Sequence, residues 1–357
     1  MDLKKVKSRE AGFNPKNRFE KIYIDYFGED FENELNENEE KRGVPTVFFK
    51  DTTKTILAKN NSSDIPFTYS INPYRGCEHG CIYCYARPSH EYLGFSSGID
   101  FETKVMIKPD APSLLEDAFK KKSWVPETIM FSGNTDCYQP VERKLEITRK
   151  CLGVFLKYRN PCAIVTKNAL ITRDLDILKE MAKLNLVSVA VSITTLKRKL
   201  SRKLEPRTSV PSQRLETVAK LASENIPVGI LAAPVIPGLN DEEIPNILKA
   251  ASEHGALSAA MIMLRLPFAI KDLFIDWIQR NYPEKASRII NRIKDTRGGK
   301  LNSNVFKKRM TGEGELAHSI HRLFKASCRK YGLNKTKIHL TTEHFIREPD
   351  SNQTTLF

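Results

Sequence analysis

Residues 127–193 read ETIMFSGNTDCYQPVERKLEITRKCLGVFLKYRNPCAIVTKNALITRDLDILKEMAKLNLVSVAVSI. Three short apolar runs, ETIMFSG (127–133), CAIVTK (162–167) and LVSVAVSI (186–193), are separated by two amphipathic stretches, RKLEITRKCLGVFLKYR (143–159) and RDLDILKEMAKL (173–184). The short runs are β-branched and apolar on both faces. That pattern predicts parallel strands covered by helices. It continues outward on both sides. A helical stretch PSLLEDAFKKK (112–122) precedes it, and PSQRLETVAKLASENI (211–226), PVGILAAPVI (227–236), DEEIPNILKAASEHG (241–255) and SAAMIML (258–264) follow. Strands alternating with helices predict an α/β domain of βαβ units. With the strand before the cysteines (FTYSI, 67–71), the count is six. Six is too few for a complete eightfold barrel, so a partial (βα)6 barrel is expected, with an open doubly wound sheet as the alternative.

The alternation stops after residue 264, and the predicted domain spans 46–264. A helical, basic C-terminal region follows over 265–348, with helices at 271–283, 284–295 and around 314–331, then a tail at 349–357. Residues 265–357 carry 19 Lys and Arg against 9 Asp and Glu, ten of the fourteen net positive charges in the chain. Such an excess suits a polyanion such as DNA or RNA, although solvated helix faces give the same count. Residues 1–45 read as a mobile extension, because EDFENELNENEEKR (29–42) has too few apolar groups to offset its ordering entropy. The start of the chain has no apolar core for a secretory signal. The most apolar stretch, IPVGILAAPVIPG (226–238), is short and broken by prolines, so no membrane span is expected. Seven cysteines, three of them bunched, suggest a reducing, cytoplasmic setting.

The bunched cysteines are Cys77, Cys81 and Cys84 in NPYRGCEHGCIYCYARP. Three thiolates hold three irons of a cubic cluster and leave a fourth open. Structural zinc is the competing reading, but it wants four closed ligands. The next cysteine is Cys137, and only His79 lies inside the loop.

The C-x3-C-x2-C spacing, with an aromatic before the last cysteine, resembles the radical SAM superfamily. That resemblance implies a 4Fe–4S cluster on Cys77, Cys81 and Cys84 whose open iron takes the amino and carboxylate groups of S-adenosylmethionine. It also implies an electron donor, and cleavage of the sulfonium to a 5′-deoxyadenosyl radical. Tyr83 falls where the family's backbone meets adenine. SGNTD (132–136) falls where the methionine amino group is received, with Gly133 and Asn134 small enough for close approach and Asp136 an acceptor. Lys167 and Ser192 end the third and fourth strands, where barrel active sites lie. Both are candidates for SAM oxygens, as is Arg207 in LEPRTS.

GNTDCYQPVE, TKNALITRDLDIL, SITTLKRKLSRKLEPR and PVIPGLND further resemble the spore photoproduct lyase-like branch, and within it a bacterial DNA-repair-photolyase-like subgroup without a settled reaction. The branch relays hydrogen through tyrosines and one cysteine. Here Tyr85 fits the relay, while the cysteine position falls on Gly133. The nearest thiol, Cys137, is a substitute donor or a core residue. A radical enzyme acting on nucleic acid is therefore expected. The alternatives are radical modification of a protein or small molecule, and a metal-stabilised nucleic-acid-binding protein without turnover. KRKLSRK (197–203) is a candidate for phosphate contacts. The terminal QTTLF, Gln353–Phe357, resembles the sliding-clamp-binding pentapeptide.

Overall fold

The computed structural model describes residues 9–19 and 44–348. The acidic stretch 29–42 and the terminal Gln353–Phe357 lie outside the described residues. Six parallel strands form the main sheet: β1 Tyr69–Ile71, β2 Ile129–Phe131, β3 Cys162–Thr166, β4 Val187–Ser192, β5 Val228–Val235 and β6 Ser258–Met263. Neighbours follow chain order from β1 to β6 without reversal. A doubly wound sheet reverses at a switch point. This sheet winds one way and takes the partial (βα)6 barrel form. A two-residue strand, Ala58–Lys59, closes its first edge antiparallel to β1.

The crossover helices are α1 Ala111–Lys120, α2 Ile147–Tyr158, α3 Leu175–Lys183, α4 Pro211–Ser223 and α5 Ile244–Glu253. Prolines stand in the first turn of α1, α4 and α5, where no amide partner is lost. Arg159, Asn185, Asn225 and Gly255 follow α2 to α5 with positive φ, so each helix ends in a left-handed residue just before the next strand. Ile129, Ile164, Val189 and Ile230 meet Phe119, Phe155, Met181 and Leu248 in one apolar core.

A second, three-stranded sheet lies outside the βα series. Lys104–Ile107 pairs parallel with Val47–Lys50 and antiparallel with Tyr74–Arg75. The basic helices expected beyond 265 are α6 Ile270–Asn281, α7 Pro283–Asp295 and α8 Gly314–Lys330. Ile320, Phe324 and Cys328 of α8 join the main core, while α6 and α7 share a second core with Cys81, Ile82 and Tyr83. Residues 9–19 also pack against the body, unlike the loose extension that composition predicts there. Ala11 is buried, its amide donates to Glu102, and Glu10 accepts from Trp277 Nε1 at 3.0 Å. Among the described residues no helix is long and apolar enough to cross a membrane.

Candidate functional site

The cysteine loop follows the short strand Tyr74–Arg75 and is fixed by its backbone. Gly76 turns with φ +81°, and a Cβ there would stand 2.9 Å from the carbonyl oxygen of Lys104, so glycine is required before Cys77. The Cys77 amide donates to Phe101 O at 2.9 Å, and the Ile82 amide to Leu204 O at 3.1 Å. Gln139 accepts from the Glu78 amide at 2.9 Å and donates to Gly76 O at 3.3 Å. Arg87, wholly buried, donates to Cys81 O at 3.0 Å, Gly80 O at 3.2 Å and Gly98 O at 2.8 Å, with its charge balanced by Glu102.

All seven cysteines are free. Burial pushes the thiols of Cys77, Cys81 and Cys84 upward. The charge of Cys84 adds to the shift at Cys77 and Cys81, while Lys167 opposes it at Cys81 and Cys84. Two buried thiolates and a half-buried third would repel one another and are stable only beside positive charge, which cluster irons provide. The donor set therefore fits a cluster. It fits zinc poorly. His79 is buried and neutral, its pKa lowered to about 4 by burial. Its Nδ1 faces Asp136 at 3.4 Å and its Nε2 faces the Asn168 amide at 3.3 Å, so both nitrogens are engaged. Among the described residues no three His, Cys, Asp or Glu side chains gather closely enough to share one ion.

The C-terminal ends of β2, β3 and β4 meet this loop. Asp136 clasps the turn after β2 to the end of β3: it accepts from Thr166 Oγ1 and the Lys167 amide, each at 2.7 Å, and from the Tyr138 amide at 2.9 Å. Its oxygens are thus committed to protein partners rather than open to an incoming ammonium. Lys167 Nζ lies 6.0 Å from the Tyr83 ring and 3.9 Å from Glu205. Ser192 is buried, with its carbonyl bound to Arg214 at 3.0 Å. Asn134 is exposed, and its amide donates to Asn72 at 2.8 Å. Tyr85 is 47% exposed at the rim, and its hydroxyl donates to Gly133 O. Arg207 pairs with Glu78 at 3.0 Å inside the loop.

Cys137 is not brought to this site. Its side chain is fully enclosed in the main core, where burial raises its thiol well above the ordinary range, and its carbonyl accepts from Thr148 Oγ1 at 2.6 Å. The core outcome, rather than the donor, is what the packing gives. Conversely, Glu205 was not singled out by the sequence. It is buried and accepts from Tyr83 Oη and from Thr194 Oγ1 (2.5 Å), and it pairs with buried Arg214. Burial pushes its carboxyl up, but Arg214, then Lys167 and the two hydroxyls, outweigh burial and hold it below the usual range. Its only sequence signal is its place in LEPR, two residues before Arg207.

The Radical SAM superfamily model matches residues 71–251. The chain belongs to the radical SAM superfamily. An uncharacterized protein of Mycobacterium tuberculosis is 35% identical over 245 residues, covering 68% of this chain and 72% of that one. An uncharacterized protein of Methanocaldococcus jannaschii is 27% identical over 233 residues, covering 65% and 83%. Spore photoproduct lyase complexed with dinucleoside spore photoproduct has a similar fold, with a TM-score of 0.59 and 16% identity over 80% of each chain. A variant of that lyase with bound AdoMet and dinucleoside spore photoproduct gives 0.58 and 15%, over 81% and 80%. The radical SAM enzyme thus carries its cysteine loop on the lyase-like fold.

Proposed function

We propose that this radical SAM enzyme holds a 4Fe–4S cluster on Cys77, Cys81 and Cys84 and acts on a base or lesion in nucleic acid. When bound, cluster and S-adenosylmethionine supply a 5′-deoxyadenosyl radical. The chain's residues bind and orient. Lys167, held by Glu205 beside Tyr83, presents the cation for the SAM carboxylate. With Asp136 committed to β3, the amino group falls to backbone oxygens around Gly133 and Asn134. Tyr83 offers its backbone to adenine, and buried Ser192 lines the end of β4. Tyr85, half exposed against Gly133 O, is the hydrogen-relay candidate on the substrate side.

The observation that carries the reading is a single loop of three free thiols, Cys77 and Cys81 buried and Cys84 half-buried, with Lys167 opposing the upward shift at Cys81 and Cys84. Support for nucleic acid comes from the +14 net charge and the lyase-like fold. Anaerobic reconstitution followed by dithionite and SAM tests the chemistry. The brown protein is expected to release 5′-deoxyadenosine, and Cys84→Ala to lose both colour and release. No release from reconstituted wild type sinks the proposal. Turnover with UV-irradiated DNA, analysed by mass spectrometry against undamaged DNA, tests the substrate.

A further inference from the structure

The run KRKLSRK is sorted by its fold into separate jobs. Residues Arg198–Leu204 form a two-turn helix after β4. Leu200 and Leu204 face inward, into the core shared with Cys81, Ile82 and Tyr83. Leu204 O receives the Ile82 amide of the cysteine loop, and Lys203 O receives Trp277 Nε1 at 3.0 Å, so the helix is clamped on both sides. Lys197 turns to Glu243 at 3.7 Å. The remaining four, Arg198, Lys199, Arg202 and Lys203, line one groove. Among the described residues none of these four makes an ion pair, and Lys203 rests its ammonium 4.9 Å from the Tyr282 ring.

Arg198, Lys199 and Arg202 have no acidic partner among the described residues, and Lys203 feels only the nearby Glu10 carboxyl; cations gathered on one open face repel one another, a cost that a bound anion relieves. Arg198 with Arg202, and Lys199 with Lys203, are pairs four residues apart. Each pair spans about 6 Å along the helix axis, so the four cations form a two-by-two array on one face. The lining has no aromatic or aliphatic anchor of the kind that centres a protein–protein interface. A phosphodiester backbone needs none, because phosphate contacts position a nucleic acid through charge alone.

We infer that this groove is a phosphate-backbone subsite that seats a nucleic-acid strand on the outer face of the helix whose inner face packs on the cysteine loop. The inference rests on the nucleic-acid reading above and gives it a place on the surface. The helix that carries the groove is itself tied to the segment between Cys81 and Cys84, where the Ile82 amide donates to Leu204 O at 3.1 Å. The groove positions the strand; the site at the strand ends selects what reacts.

The test is salt-dependent binding of a fluorescein-labelled 20-mer, single- or double-stranded, to the reconstituted enzyme. Comparison is with the triple variant Arg198→Ser, Lys199→Ser, Arg202→Ser. These side chains are exposed, so the fold and substrate-free release of 5′-deoxyadenosine are expected to persist. Losing three phosphate contacts is expected to lower the slope of log K against log salt by about 2 to 3 and the affinity at least tenfold at low salt. Lys197→Ser, outside the groove, is expected to leave the slope unchanged. Equal binding by wild type and triple variant overturns the subsite while leaving the nucleic-acid reading standing. Absence of salt-dependent binding by wild type overturns both. If poly-L-glutamate competes as well as oligonucleotide at equal charge, the groove serves an acidic protein and the inference falls.

Discussion

Glu205→Gln is the perturbation that most directly tests how the site is built. The carboxylate is buried and joins four partners: Tyr83, Thr194, Lys167 and Arg214. Glutamine keeps the shape and one acceptor oxygen but removes the charge. That strands the Arg214 guanidinium in a dry environment, where breaking one side of a buried pair costs about 3–5 kcal/mol. Arg214 keeps the carbonyls of Ser209 (2.7 Å) and Ser192 (3.0 Å), and these soften the loss. The expected destabilisation is therefore about 2–4 kcal/mol, toward the lower end of that class. Equilibrium urea unfolding measures it. A second variant, Glu205→Leu with Arg214→Met, removes both charges and is expected to cost less than the two single changes summed, by at least about 1 kcal/mol. The effect also has a pH signature. The folded carboxyl titrates below its ordinary value of 4.5. Its contribution is complete above the unfolded pKa and disappears as pH falls through the folded one. Wild-type and variant stabilities are expected to converge there. A loss below about 0.5 kcal/mol at neutral pH, or strict additivity in the double variant, refutes the hub.

Gly133 and His90 provide independent checks. A Cβ at 133 would meet Ser70 Cβ at 3.1 Å and Ser70 Oγ at 3.2 Å, so Gly133→Ala is expected to cost about 1–2 kcal/mol by overpacking. Adding Ser70→Gly should recover at least half, and failure to recover refutes the steric account. His90 is buried among Phe95 and Phe101, and burial lowers its pKa to about 4 from 6.5. As pH falls from 6.5 to 4 the unfolded chain takes up a proton that the folded chain refuses, so stability is lost across that window. His90→Phe should reduce the loss between pH 7 and pH 5 by about 1–2 kcal/mol, read from urea midpoints at the two pH values. Equal losses in both proteins refute it.

What the sequence made legible was what repeats or has fixed spacing. The six strands, the one-way alternation and the cysteine triplet follow from period and interval, and Lys167 and Ser192 follow from their places at strand ends. Side-chain direction in turns has no period. Cys137 and Asp136 sit in the turn after β2, and nothing in DCYQP says that the thiol faces the core while the carboxylate clasps β3. Buried charges are equally hidden. Arg87 and Glu205 break the rule that arginine and glutamate stay exposed, and each is stable only through a partner distant in sequence, or through backbone carbonyls that a sequence does not display. The inward packing of residues 9–19 has the same cause: Ala11 and Glu10 find their partners at Glu102 and Trp277.

These hidden charges explain why the cysteine loop is shaped before any cofactor binds. Its backbone groups are matched to protein partners: Gly80 and Cys81 carbonyls to Arg87, Gly76 O and the Glu78 amide to Gln139, His79 O to the Arg207 amide, and the Ile82 amide to Leu204. A zinc finger, by contrast, folds only with its metal, and ligand binding supplies its folding energy. Here the ordering entropy is offset by hydrogen bonds and by two cores, so cluster binding has to draw the protons from three thiols that burial keeps neutral, but not to order the loop. Cys84→Ala removes one thiolate and no loop hydrogen bond made by a side chain. Its loss of colour and of 5′-deoxyadenosine release should therefore occur in a protein whose urea midpoint matches that of the cluster-free wild type. If the midpoint instead falls in step with activity, the loop depends on its cluster for shape, and the preformed scaffold argued from Arg87 and Gln139 is wrong.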